Sequence, residues 1–133
     1  MESTIRVLIV DDAPYFRQAL IHLFEREPTF RVVGQAGNGV EALGLVEVYR
    51  PHVVLVDYAL PALNGLEISR QIKERFPEIQ IILLSMFADD LKDLAAEAGA
   101  CLCLGKDGDL TRLPRFVEGC YSLAGPGKPD SRR

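Results

Sequence analysis

Apolar and polar positions follow two distinct rhythms along this chain. Nearly unbroken apolar runs occur at Ile5–Val10, Phe30–Gln35, His52–Val56, Ile79–Leu84 and Cys101–Leu104. They have the length of strands and the continuous hydrophobicity of strands buried on both faces. Between them the apolar residues recur every three or four positions. Phe16, Leu20, Leu23 and Phe24 form one stripe, and Pro14 suits the first turn of that helix. Asn38 followed by Glu41 has capping-box spacing and opens a second helix through Leu43 and Val46. A third is predicted from about Gly65 to Phe76, with Ile68, Ile72 and Phe76 spaced by four and Pro77 as its stop. A fourth sets Leu91, Leu94, Ala95 and Ala98 on one face and ends at Gly99. In the fifth, Pro114 must lie in the first turn, where its missing N–H breaks no bond. Thr111 as cap and a start near Arg112 meet that condition and predict a short helix.

Strands and helices in strict alternation imply an all-parallel sheet covered on both faces, a doubly wound α/β fold. Crossovers are then right-handed, and ligands bind outside the carboxyl ends of the strands. Polar residues stand at those ends. Asp11 and Asp12 follow the first strand, Asp57 the third, Ser85 the fourth and Lys106 the fifth. If the first and third strands are neighbours, three carboxylates share one pocket. Like charges about 4 Å apart repel by roughly 4 kcal/mol at an effective dielectric near 20. Such a cluster needs a cation or a raised pKa, and an all-oxygen set suits a hard ion such as Mg²⁺. A hydroxyl and an ammonium beside it complete a site for a phosphoryl group, with Asp57 as nucleophile. Each residue also has a plainer role. Asp11 and Asp12 favour the positive end of the first helix, Ser85 can cap the fourth, Lys106 can be a solvated loop charge and Asp57 can open a turn. Plain roles predict no concurrence at four strand ends, so the shared site is preferred.

Composition narrows the class. The 133 residues amount to one domain, and a net charge of −4 with pI about 5.2 gives no basic footprint for nucleic acid. No apolar run approaches the roughly 20 residues that span a bilayer, and the chain is expected to be cytoplasmic. Cys101 and Cys103 are expected to share one face of a strand, and with Cys120 to act as small buried hydrophobes rather than zinc ligands. His22 and His52 are assigned surface or packing roles. Gly125–Arg133 has nothing apolar to bury and reads as a disordered tail or truncated linker after a domain of residues 1–124.

The stretches IRVLIVDDAPYFRQAL, VVLVDYALPALNGLE, IILLSM and LGKD resemble the response-regulator receiver domain of two-component signalling, over about residues 5–124. REPTFRVVGQAGNGVEAL and LSM are similar to receivers of the NarL/FixJ type. The resemblance implies a flavodoxin-like (βα)5 fold with strand order 2-1-3-4-5. It implies that Asp57 is the phosphoacceptor and that Asp12, Asp57 and the backbone carbonyl of Ala59 bind Mg²⁺, with Asp11 acting mainly through water. Ser85 and Lys106 would hold the phosphoryl oxygens. The donor would be a histidine kinase or histidine phosphotransfer protein docking beside the first helix, with output through a switched surface, homodimerisation and a DNA-binding domain outside this excised or stand-alone receiver. No direct nucleic-acid binding, no membrane and no enzyme activity beyond slow self-hydrolysis are expected. The competing reading is a degenerate, non-switching receiver that serves as a scaffold or dimerisation module. Its motive is Cys103, which stands where relatives carry an inward-turning aromatic. Asp107 replaces the proline many relatives place after the Lys. Ala59 and Phe87 cannot orient an attacking water, so a long-lived phosphoryl group is expected. Ala59 also argues against an aspartyl-phosphate phosphatase, which needs a second acid there.

Overall fold

The computed structural model describes residues 4–123; Gly125–Arg133 lies outside the described residues. The strands are β1 (Ile5–Val10), β2 (Phe30–Ala36), β3 (Val53–Asp57), β4 (Gln80–Ser85) and β5 (Leu102–Gly105). The helices are α1 (Pro14–Glu25), α2 (Gly39–Tyr49), α3 (Gly65–Arg75), α4 (Ala88–Glu97) and α5 (Leu113–Leu123). All pairings are parallel and the order is β2-β1-β3-β4-β5, the expected doubly wound arrangement. Two apolar clusters lie on opposite sheet faces. Leu8, Val10, Val54, Val56, Ile81 and Leu83 face α2, α3 and α4, whereas Val7, Ile9, Val53, Leu55, Ile82 and Leu84 face α1 and α5. Successive strand residues point to opposite faces, so runs such as VLIV and IILL feed both cores at once. Edge strand β2 carries a bulge: Val7 pairs with Val32 but Leu8 with Gly34, which leaves Val33 between them.

Caps follow local chemistry. Asn38 accepts from the Glu41 N–H at 2.8 Å while Glu41 Oε1 accepts from the Gly37 N–H at 3.0 Å, so the capping box forms with a one-residue offset. Asn64 caps α3 in the same way through the Glu67 N–H. Gly99 adopts φ +97° just past α4, where a side chain would be strained.

The structure departs from expectation in the β5–α5 region. A 3-10 turn, Leu110–Arg112, precedes α5. Its cap is Asp109, whose Oδ1 accepts from both the Thr111 N–H and the Thr111 hydroxyl. Thr111 is therefore a donor to the cap, not the cap. The α-helix begins at Leu113, puts Pro114 at its second position and runs 11 residues, as long as α2 and α3. It is not short. Cys101 and Cys103 do not share a face: β5 starts at Leu102, Cys103 packs in the α4-side cluster and Cys101 packs in the α5-side cluster. Leu94 is 45% exposed instead of buried with Leu91 and Ala95, because α4 makes its contact through a narrower stripe. His52 has a packing role, its Nδ1 accepting from the Arg6 N–H and its ring edge-on to Tyr121.

Candidate functional site

Parallel pairing holds four strand tips level. Val10 pairs with Val56, Asp57 with Leu84 and Ser85 with Gly105. The ladder continues past the strands through Asp11 N–H to Ala36 O, Tyr58 N–H to Leu84 O and Lys106 N–H to Ser85 O, at 2.8–3.0 Å. Asp11 and Lys106, one step beyond β1 and β5, and Asp57, the last residue of β3, are thereby delivered to the same edge by backbone bonds alone.

There Asp11, Asp12 and Asp57 each bring a carboxylate oxygen within 4.8 Å of one another. Asp11 is 0% exposed and Asp57 3%, while Asp12 faces solvent. Lys106 Nζ lies 3.0 Å from Asp11 Oδ2 and 3.3 Å from Asp57 Oδ2, bracketed by the two buried acids. Its ammonium also stands 4.2 Å from the centre of the Phe16 ring, a cation–π contact. The main chain fixes Asp11 further: the Ala13 N–H donates to its Oδ1 at 2.9 Å and Arg17 Nη1 donates to its carbonyl at 2.6 Å. Asp11 thus supports the start of α1 and still presents Oδ2 to the site. The Ala59 N–H faces Asp57 Oδ1 at a long 3.4 Å.

Burial, and next the charge of Asp11, raise the Asp57 carboxyl above its ordinary pKa, with Lys106 pulling the other way. Burial alone would lower Lys106, but its hydrogen bond to Asp11 and the charge of Asp57 outweigh that and hold the ammonium above its usual value. Three carboxylates against one ammonium leave a formal surplus of two negative charges. A hard dication held by oxygens neutralises that surplus, so this donor set fits Mg²⁺.

Ser85 is buried at the tip of β4, and its Oγ accepts from the Phe87 N–H at 2.9 Å. It does not cap α4, since Phe87 occupies the cap position without a side-chain bond. Cys103 is set apart from the acids, with Sγ 3.6 Å from the Ala88 carbonyl on the α4 side. Three residues beyond the expected set help build the site. Phe16 was visible only as part of an apolar stripe, and nothing in the sequence singled out Arg17. Gly65 matters most: a Cβ there would lie 2.5 Å from the Asp57 carbonyl and 2.7 Å from Leu83 Cδ1. The signal was present in NG just before a helix, where the residue after a cap must meet the preceding strand closely.

A family model described as the response regulator receiver domain matches residues 7–118. This chain belongs to that family. As a receiver domain it is part of two-component signalling. The receiver is 36% identical over 89 residues to the transcriptional regulatory protein DegU of Brevibacillus brevis, covering 67% of this chain and 38% of that one. It is 35% identical over 127 residues to protein-glutamate methylesterase/protein-glutamine glutaminase 3 of Hahella chejuensis, covering 96% and 32% respectively. The solved signal receiver domain of the response regulator NarL from Mycobacterium tuberculosis superposes with a TM-score of 0.86 at 27% identity, over 91% of this chain and 98% of that one. The chain therefore spans about a third of each of these two curated relatives, 38% of one and 32% of the other, one a transcriptional regulator and one an enzyme. Among the described residues no helix is long and apolar enough to cross a membrane.

Proposed function

We propose that this receiver accepts a phosphoryl group on Asp57 and changes its surface in response. One observation carries the reading: a lysine from the β5 tip is hydrogen-bonded between buried carboxylates from the β1 and β3 tips, with a third acid within 4.8 Å. Gathering three acids around one half-buried base leaves a surplus charge that does not favour the resting fold. A site that must bind a dication and a phosphate needs that surplus.

The donor is the phosphohistidine of a kinase or phosphotransfer protein. An Asp57 oxygen forms the new P–O bond as the P–N bond to the donor imidazole breaks, and the imidazole keeps the electron pair. Asp12, Asp57 and the Ala59 carbonyl would hold Mg²⁺, with Asp11 acting mainly through water, and the ion would supply positive charge against the oxygens of the transferring group. Lys106 is already charged and aimed at Asp57, so it meets the phosphoryl oxygens without reorganisation. Ser85 Oγ accepts from the Phe87 N–H and keeps its own O–H to donate to a phosphoryl oxygen, so a shift of Ser85 towards that oxygen pulls on residues 86–87 at the entrance to α4. Nearly two added negative charges drive that shift. The face formed by α4, β5 and α5 is then the output and homodimerisation surface, acting through domains or proteins outside this chain. Self-hydrolysis is slow, and the domain is a phosphoacceptor rather than an enzyme.

The test is incubation with Mg²⁺ and acetyl phosphate, followed by intact mass and size exclusion. Wild type gains the mass of one phosphoryl group and Asp57→Asn does not; equal labelling of the two refutes the assignment. Cys103 favours a second reading, a receiver that binds phosphate without switching. Beryllofluoride with Mg²⁺ separates the two: a switching domain shifts the resonances of Ser85, Met86 and Phe87, a scaffold leaves them in place.

A further inference from the structure

Lys106 joins two buried acids, yet attraction alone does not aim it. The pull of a carboxylate on an ammonium has no direction of its own, and Asp11, Asp12 and Asp57 offer oxygens within 4.8 Å of one another. The ammonium rides on a flexible four-carbon stem. Among the described residues its ion pairs are nevertheless with Asp11 at 3.0 Å and Asp57 at 3.3 Å, and not with Asp12. Phe16 marks out that position. Lys106 Nζ stands over the Phe16 ring, 4.2 Å from its centre. The ring is itself held, half-buried and packed against the apolar cluster on the α1 and α5 side of the sheet. Its neighbour Tyr15 turns out to solvent instead. Arg17 Nη1 donates to the Asp11 carbonyl at 2.6 Å, so the turn of α1 that carries the ring is tied to the strand that carries the acid. An aromatic face attracts a cation at short range and over the ring, which supplies the direction that the charges lack.

We propose that Phe16 is a positioning residue whose ring face holds the Lys106 ammonium on the buried Asp11–Asp57 pair, aimed at the place where phosphoryl oxygens arrive. The hold on Lys106 stands on the resting geometry; its use rests on Asp57 being the phosphoacceptor. Apolar packing is the plain role of such a ring, and packing depends on shape. A cation–π contact depends also on the negative charge of the ring face, which fluorine withdraws while leaving the shape nearly unchanged.

Phe16 is replaced in the full chain by mono-, di- and trifluorinated phenylalanine, each beside Lys106 and in the Lys106→Met background. Urea unfolding in EDTA reads the hold, and labelling by acetyl phosphate with Mg²⁺ reads its use. Beside Lys106 the folding constant falls with each fluorine, by about fivefold for the trifluorinated ring, the size of one partly desolvated cation–π contact. In Lys106→Met the series is flat. Labelling of Asp57 slows along the same series by a similar factor. A urea series that is flat beside Lys106, or as steep in Lys106→Met, overturns the proposal whether or not Asp57 is labelled. A graded urea series with Asp57 labelled at one rate throughout confines the ring to stability and overturns the positioning role. A graded series in a protein whose wild type takes no phosphoryl group upholds the hold on Lys106 and refutes the acceptor reading alone.

Discussion

Lys106→Met tests the electrostatic heart of the site. Methionine keeps the unbranched stem against Phe16 and removes only the charge. In the wild type the ammonium is 3.0 Å from Asp11 and 3.3 Å from Asp57, each contact worth about 5 kcal/mol of attraction at an effective dielectric near 20. Much of that is offset by desolvation of the three groups. Without the ammonium, Asp11 and Asp57 are left buried with oxygens no more than 4.8 Å apart, a repulsion of roughly 3.5 kcal/mol on the same scale. Asp12 can turn to solvent; these two cannot. Urea unfolding at pH 8 in EDTA should therefore show a loss of about 3 kcal/mol, the lower end of the cost of stranding a buried partner. The loss has a pH signature. The folded Asp57 already binds its proton more tightly than the unfolded chain, and removing Lys106 strengthens that bias. Stability then falls as pH rises from the ordinary carboxylate value near 3.9 towards the raised folded value, so the deficit should shrink at pH 5. Mg²⁺ should shrink it too, because a ligand at 100 times its dissociation constant adds about 2.7 kcal/mol and no longer competes with Lys106. A deficit equal at both pH values and indifferent to Mg²⁺ would mean that the acids do not share a field, and the account of the site fails.

Gly65→Ala puts a Cβ 2.5 Å from the Asp57 carbonyl, and overpacking against backbone should cost about 2 kcal/mol in urea unfolding and slow acetyl-phosphate labelling of Asp57; an unchanged protein would show that the approach is not tight. Ala62 holds φ +70° in the exposed loop before α3, so Ala62→Gly should gain about 0.5–1 kcal/mol, the strain relieved exceeding the entropy glycine adds to the unfolded chain, and a thermal melt that drops instead refutes the strain. With Ala59 and Phe87 beside the acceptor, the labelled protein should keep its phosphoryl group for minutes and Ala59→Asp should shorten that life; loss within seconds from the wild type contradicts the assignment. Labelling should slow as pH falls through the raised Asp57 pKa, since only the carboxylate attacks, and a rate flat between pH 4 and 8 would place the nucleophile elsewhere.

The sheet was legible because burial on both faces writes itself into composition: a strand that feeds two cores has no room for a polar residue until it leaves the sheet. That is why strand ends could be found to within a residue and why the polar position that ends β3 and β4, or follows β1 and β5, marked the site. Helix faces were legible where the stripe is wide, as in α3, and misjudged where it is narrow, as for Leu94 on α4. The β5–α5 region failed for a different reason. Asp109 and Thr111 are both good caps, and no local rule says that one donates to the other. β5 starts at Leu102, one residue later than expected, so Cys101 lies outside the pleat, is not bound by its alternation and packs on the α5 side. Phe16 and Gly65 were missed because their roles concern atoms distant in sequence.

As the proposed phosphoacceptor, Asp57 needs two properties that burial sets against each other. A carboxylate excluded from water is a better nucleophile towards phosphorus once ionised, but burial itself favours the protonated, inert form. The fold answers with charge rather than exposure. Asp11 adds to the bias against ionisation, yet it also anchors Lys106, whose ammonium pulls Asp57 back towards the charged state and stays protonated because both acids hold it. Lys106 stabilises the resting cluster and still leaves a negative surplus that a dication can complete. A second lysine would satisfy the acids outright and close the site to metal; no lysine would strand them. One base among three acids is the ratio at which the resting protein holds together and the pocket keeps a negative surplus suited to a hard dication.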